Sequence, residues 1–304
     1  MAAVGGAVAP RAAGNRMMNT LRRWLNLRRL GLLGVLIIGI NTLCTLDARA
    51  LPLPKTDAQT LKLLDAAIAG DHRQPKNKAR DVYRHPRETL QFFGLRKDMS
   101  VIEIAPGSGW YTEILAPVLK DHGHYAAGVT PPASADAEDS AGMKALKQKF
   151  ADHAATLGTL NTAPFGPGVT DLAPAESVDL VVTFRNLHNW MGSNWADKAI
   201  ALMFKALKPG GILGIEEHRG NPATPQDPKA ESGYVNEDLA IKMFEAAGFK
   251  LVGRSEVNAN PKDTKDYKEG VWTLLPTLTL GETDKAKYQA IGESDRFTLK
   301  FQKP

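Results

Sequence analysis

The segment Val101-Ile-Glu-Ile-Ala-Pro-Gly-Ser-Gly-Trp-Tyr111 decides the fold of this chain. Ser100–Ala105 is a short run rich in β-branched residues, and Tyr111, Ile114, Leu115 and Val118 then recur at helical spacing. Gly107 and Gly109 lie between them, so a strand passes into a helix through a tight turn. Such a turn lets the backbone approach a ligand closely, and the helix start offers free N–H groups and a partial positive charge. Glu103 sits near the carboxyl end of the strand, where packing alone gives an acid no role. A dinucleotide fingerprint would carry a third glycine and an acid about 20 residues further on. Here Trp110, Tyr111 and Thr112 follow Gly109, which disfavours a nicotinamide oxidoreductase.

The flanking sequence alternates strands and helices. Residues 56–94 read as helical, with Thr56 as cap, Leu61, Leu64 and Ile68 on one face, Pro86 opening a last helix and Gly94 closing it. Strands are predicted at Tyr125–Val129, within 156–172, and at Val178–Phe184, Ile212–Ile215, Lys250–Glu256 and Phe297–Phe301. Helices fill 131–155 and Glu237–Ala247, the latter stopped by Gly248. Another has Asn194 as cap, Asp197 in its first turn and Ala199, Met203 and Leu207 on one face, and is ended by Lys208-Pro209-Gly210-Gly211. This order predicts an α/β, Rossmann-like domain, a mostly parallel seven-stranded sheet with helices on both faces and an N-terminal helical lid.

Glu103-x-Ala105-x-Gly107-x-Gly109 resembles the first motif of class I S-adenosylmethionine-dependent methyltransferases. Asp179-Leu-Val-Val and Leu207-Lys-Pro-Gly-Gly211 resemble that family's fourth strand and its turn into the fifth, in the right order over roughly residues 80–304. With Thr183-Phe-Arg-Asn-Leu-His-Asn-Trp190 and the tail Gly292-Glu-Ser-Asp-Arg-Phe-Thr-Leu-Lys-Phe, the set is similar to a bacterial group of exported predicted methyltransferases. The resemblance implies the cofactor S-adenosyl-L-methionine, with Glu103, Ala105, Pro106, Gly107, Ser108, Gly109, Thr130, Thr183, Arg185 and Asn186 as the cofactor-binding residues. Two departures stand out. Ala105 replaces the first glycine, and Gly128-Val129-Thr130-Pro131 lacks the acid that many relatives place on the ribose hydroxyls. Asp136, Glu138 and Asp139 are acids close by, none of them placed by spacing.

Ligands of open α/β sheets bind beyond the carboxyl ends of the strands, so acceptor chemistry belongs at Arg185–Trp190 and Glu216–Arg219. Histidine as a residue type suits general-base work near neutral pH, which makes His188 the catalytic candidate, with Glu217 and His218 as assisting catalytic candidates. No metal site is expected, because only one histidine stands by the two acids and the rest of the chain after residue 50 has no cysteine. Arg80, Arg84 and His85 read equally as a cover over the site or as a salt-bridged surface. Asn258-Ala-Asn-Pro-Lys-Asp-Thr264 and Ser294-Asp295-Arg296 are held as substrate-side candidates.

Residues 1–50 carry seven arginines, one aspartate and no lysine, so the chain's net charge of +5 becomes −1 over residues 51–304. The basic balance therefore belongs to the leader and gives no reason to expect nucleic acid as a partner. Four arginines, an apolar run over residues 30–46 and Ala48-Arg49-Ala50 read as a secretory signal peptide, which predicts export, in a bacterium to the periplasm. An uncleaved leader would be the chain's only membrane contact. The predicted organisation is a signal peptide over 1–50, a helical segment over 51–98 and the Rossmann-like domain over 99–304. The expected activity is methyl transfer to a small-molecule acceptor. The rival is an exported binding protein that kept the fold and lost catalysis, since S-adenosylmethionine is made in the cytoplasm.

Overall fold

Seven strands form one sheet in the order β3-β2-β1-β4-β5-β7-β6. They are β1 (Ser100–Ile104), β2 (His124–Val129), β3 (Thr162–Pro164), β4 (Val178–Phe184), β5 (Leu207–His218), β6 (Lys250–Ser255) and β7 (Arg296–Gln302). The first five run parallel, and β7 enters antiparallel between β5 and β6. The computed structural model describes residues 51–134 and 136–304, so the signal-peptide reading lies outside the described residues. Four helices precede the sheet: α1 (Ala58–Ala69), α2 (Pro75–Lys78), α3 (Asp81–Arg84) and α4 (Pro86–Phe93). The connections carry α5 (Thr112–Leu119), α6 (Ala141–Asp152), α7 (Ala154–Leu157), α8 (Leu187–Gly192), α9 (Ala196–Ala206), α10 (Glu237–Ala246) and α11 (Lys285–Ile291). This is the Rossmann-like methyltransferase fold. No helix among the described residues is long and apolar enough to cross a membrane.

Strand periodicity divides the core in two. Successive side chains point to opposite faces, so Val101 joins Leu64, Leu90, Phe93 and the apolar side of α5, whereas Ile102 and Ile104 join residues of α8, α9 and α10. The N-terminal helices thus pack into the same apolar layer as α5, and α3 carries Arg84 into the interior. Helix α4 begins at Pro86, whose missing N–H costs nothing there, and stops at Gly94 in the left-handed conformation.

Three local readings change. Asp57, not Thr56, caps α1, accepting from the backbone N–H groups of Gln59 and Thr60 at 2.9 Å each. Helix α9 starts at Ala196 with no side-chain cap, because Asn194 sits at φ +52° in the turn that α8 requires. Lys208–Gly211 does not precede the fifth strand but lies within it. Val178 pairs Leu207 while Leu180 pairs Ile212, so those four residues bulge out of the ladder.

Candidate active site

The chain turns immediately after β1, with Ala105 at φ +47°, Gly107 at +59° and Gly109 at +78°. Left-handed backbone strains a residue with a side chain, and such strain gathers at functional sites. Hydrogen bonds hold the turn: Ala105 N–H donates to Gly128 O at 2.8 Å and Gly109 N–H to Pro106 O at 2.9 Å. The two glycines have different reasons. A Cβ on Gly109 would come within 2.8 Å of Leu146 Cδ1, so this glycine allows close packing against α6. A Cβ on Gly107 would meet nothing within 4 Å, because that position borders open space.

The open space is a groove of about 900 Å³ over the carboxyl ends of β1, β2 and β3. Ala105, Pro106, Gly107 and Thr130 line it, with Met143 and Phe165 among its apolar walls. That size and lining suit a nucleoside-sized ligand. Glu138 and Asp139 line it too, paired with Lys144 at 2.7 Å and Lys147 at 2.6 Å. The fold therefore brings acids to the groove from the segment just before α6 and not from the end of β2.

Glu103 points elsewhere. It is buried, and its Oε2 accepts from Thr112 Oγ1 and from the Tyr125 hydroxyl at 2.7 Å each. Its side chain ties β1 to β2 and to the first turn of α5. Burial lifts its carboxyl to about 7, against the pull of those two hydrogen bonds. Ser108 is exposed and is not among the groove-lining residues.

At the end of β4, Asn186 Nδ2 donates to Thr183 Oγ1 and to Ile104 O, at 3.1 Å each, and so clamps β4 to β1. Arg185 is held at φ +60°; its N–H donates to Glu216 O and its Nη1 to Glu216 Oε1, both at 2.7 Å. Glu216 is the hub of an interior ionic cluster. Arg296 Nη1 reaches it at 3.0 Å, and the Tyr111 hydroxyl donates to it at 3.2 Å while stacking its ring on Phe184 with centroids 3.5 Å apart. Arg296 Nη2 also reaches Glu293 at 2.6 Å, as do Arg84 Nε at 3.2 Å and Arg80 Nε at 2.5 Å. Burial would raise Glu216, but Arg185, Arg296 and Arg84 overcome it and hold the carboxyl below its usual range. Glu293 is brought down to about 2 against its burial, mainly by Arg296 and Arg84. Burial lowers Arg84 to about 9, helped by Arg185. Asn258, read as a substrate-side candidate, is buried and bonded to Thr89 Oγ1 and Thr298 Oγ1 at 2.9 and 3.0 Å.

The predicted catalytic residues do meet. His188 Nδ1 lies 3.0 Å from Glu217 Oε1, and the backbone N–H groups of His218 and His188 donate to the same carboxylate at 2.8 and 3.3 Å. His218 Nδ1 lies 2.5 Å from Ser294 Oγ, and the two imidazole centroids are 5.3 Å apart. An enclosed setting, with His188 and Arg296 nearby, pushes His218 well below its ordinary value, so it stays neutral. Trp272 packs edge-on to His188 at 6.1 Å. Glu216 and Glu217 are therefore buried strand residues and not part of a solvated loop. The premise against a metal changes as well: the fold brings His188 to His218, and donor atoms of His188, Glu217 and His218 lie within 4.8 Å of one another.

Comparison with known proteins adds the fold alone. No family model matches the sequence, and no curated protein matches it. A S-adenosylmethionine-dependent methyltransferase from Aquifex aeolicus is 16% identical, covering 81% of this chain and 97% of its own, with a TM-score of 0.48. The [4+2]-cyclase SpnF is 15% identical over 84% of this chain and 98% of its own, with a TM-score of 0.51. A possible exported protein from Bordetella parapertussis is 15% identical over 80% and 79%, with a TM-score of 0.45.

Proposed function

We propose that this chain is an exported S-adenosylmethionine-dependent methyltransferase acting on a small-molecule acceptor, with neither nucleic acid nor a membrane as its substrate. One observation carries the reading: the strained glycine loop after β1 opens at Gly107 onto a groove large enough for an adenosyl ligand. The residues fit that group. Gly107 leaves space where any side chain would intrude, Met143 and Phe165 offer apolar walls for a purine, and Glu138 and Asp139 offer acceptors for ribose hydroxyls. Export rests on the leader's charge, apolar run and small-residue site.

When bound, the cofactor supplies an activated methyl group that leaves its sulfur for the acceptor by direct displacement. The protein's part is positioning and proton removal. Asn186 fixes the ends of β1 and β4 relative to each other. The Glu217 carboxylate only accepts, so it orients His188 with Nδ1–H toward itself and leaves Nε2 as the basic atom. The acceptor's proton passes to that Nε2 as the new bond to carbon forms.

Fold alone does not select this chemistry, since a [4+2]-cyclase shares the architecture. Calorimetry of the mature protein with S-adenosylmethionine and S-adenosylhomocysteine tests it. Binding in the micromolar range, abolished in Gly107→Arg, is expected; a folded protein that binds neither at millimolar concentration refutes the reading and leaves the non-catalytic binding protein.

A further inference from the structure

The ionic cluster around Glu216 and Glu293 holds more positive than negative charge. Arg80, Arg84, Arg185 and Arg296 face those two carboxylates. Glu217, bonded to His188 and to backbone amides, still leaves one guanidinium without a counterion if it is included. Arg84 is buried and Arg185 has a side-chain exposure of only 17%. Interior charges are ordinarily paired, because an unpaired one keeps its desolvation cost with no Coulombic return.

The four arginines are not equally engaged. Arg296 has both terminal nitrogens bonded to carboxylates, and its one unpartnered donor, Nε, is buried out of reach of a ligand. Arg84 commits only Nε, to Glu293, and its guanidinium lies over the Trp110 ring at 4.6 Å. Its terminal nitrogens have no acceptor among the described residues and are not sealed from solvent. Arg185 commits only Nη1, and its backbone is held in the left-handed region to place it there. Both flank Glu216: Arg185 bonds it directly, and Tyr111 bridges it to the Arg84 carbonyl at 3.2 Å. The Arg84 and Arg185 side chains also feel each other as like charges.

We infer that the acceptor of the proposed methyl transfer is an anion of the carboxylate or related oxyanion class, seated on the unfilled guanidinium donors of Arg84 and Arg185. Guanidinium forks match such groups in shape and charge. The same surplus opposes a divalent cation at His188, Glu217 and His218, even though the donor types there would suit one. This inference rests on the methyltransferase reading, and the amino-acid carboxylate of the cofactor itself is the competing source of the anion.

Sodium sulfate at constant ionic strength is the probe, followed by thermal shift and calorimetry on the mature protein, alone and saturated with S-adenosylhomocysteine. Saturable sulfate binding is expected in both states. Arg185→Gln and Arg84→Gln should weaken it about tenfold or more, the loss of one charge-assisted contact, and Lys242→Gln on the exposed face of α10 should leave it unchanged. Affinity for S-adenosylhomocysteine should stay within about twofold in Arg185→Gln. An absence of saturable sulfate binding in the wild-type protein, which needs no variant to fold, overturns the proposal. Exclusion of sulfate by S-adenosylhomocysteine also overturns it, if the preference for that ligand over 5′-methylthioadenosine collapses in Arg185→Gln; the anion is then the cofactor's own carboxylate. Sulfate binding on these arginines in a protein that binds no S-adenosylhomocysteine keeps the anion seat and refutes the methyltransferase reading instead.

Discussion

Glu103→Gln isolates the energetics of the loop from any question of ligand. The carboxyl is buried, and burial raises it to about 7 in the folded protein from an ordinary value of 4.5. A folded-state pKa above the unfolded one means that the unfolded chain releases the proton first as pH rises. The group's contribution is then fully present below the unfolded value and is lost as pH climbs through the folded one. A gap of that size corresponds to about 3 kcal/mol at full development, of which about 2 to 3 kcal/mol falls between about pH 5 and about pH 8. Glutamine keeps an oxygen for the Thr112 and Tyr125 hydroxyls but has no proton to release. Urea unfolding of both proteins across that range should show wild type losing stability relative to the variant, by about 1 M in midpoint at the upper end for a chain of this size. Parallel pH profiles for the two would refute the reasoning, because they would mean that the carboxyl titrates alike in both states.

Gly107→Ala should cost only about 1 to 2 kcal/mol, the strain of a left-handed alanine, while weakening S-adenosylhomocysteine binding, because its methyl enters the groove. Gly109→Ala should destabilise by about 2 to 4 kcal/mol, adding a 2.8 Å approach to Leu146 Cδ1 to the same strain; equal unfolding midpoints for the pair would contradict the distinction. Glu217→Ala strands the His188 imidazole N–H and two backbone donors, and should lower stability by about 3 kcal/mol in a denaturant titration. Tyr111→Phe loses one hydroxyl bonded to Glu216 and to the Arg84 carbonyl and should cost about 1 to 2 kcal/mol, with near-unchanged folding of the core on which its ring stacks.

The central strands were legible in sequence because a buried parallel strand is an apolar run, and Val101–Ile104 and Val178–Phe184 are nothing else apart from Glu103, Asp179 and Thr183. Where polar or punctuating residues carry the pattern, the reading slipped. Lys208-Pro209-Gly210-Gly211 has the composition of a helix stop, yet the strand resumes around it as a bulge. The three-residue β3 is too short to show a period. The meeting of His188 with Glu217 follows from adjacent parallel strands ending level, so it could be expected once β4 and β5 were paired. Nothing local in sequence announces that Arg84 and Glu293, more than 200 positions apart, share one interior cluster. The signal that was available lay in β5: two consecutive glutamates after an apolar strand must both be buried if the strand continues, and each then needs donors from elsewhere.

The sheet also explains why the groove and the ionic cluster remain separate. Strand order turns about between β1 and β4, and the crevice at such a reversal is where open α/β sheets bind ligands. The groove occupies the ends of β1, β2 and β3, and the arginine cluster occupies the ends of β4, β5 and β7 with α3 above them. The two non-glycine residues strained beside this reversal, Ala105 and Arg185, are the first residues after β1 and β4, and Asn186 spans the gap to Ile104. A ligand in the groove and one on the arginines would thus meet over that clamp. Loosening it with Asn186→Ala should change how the two sites sense each other more than it changes either alone, since the Thr183 hydroxyl and the Ile104 carbonyl lose a shared partner while Gly107 and Arg84 lose none.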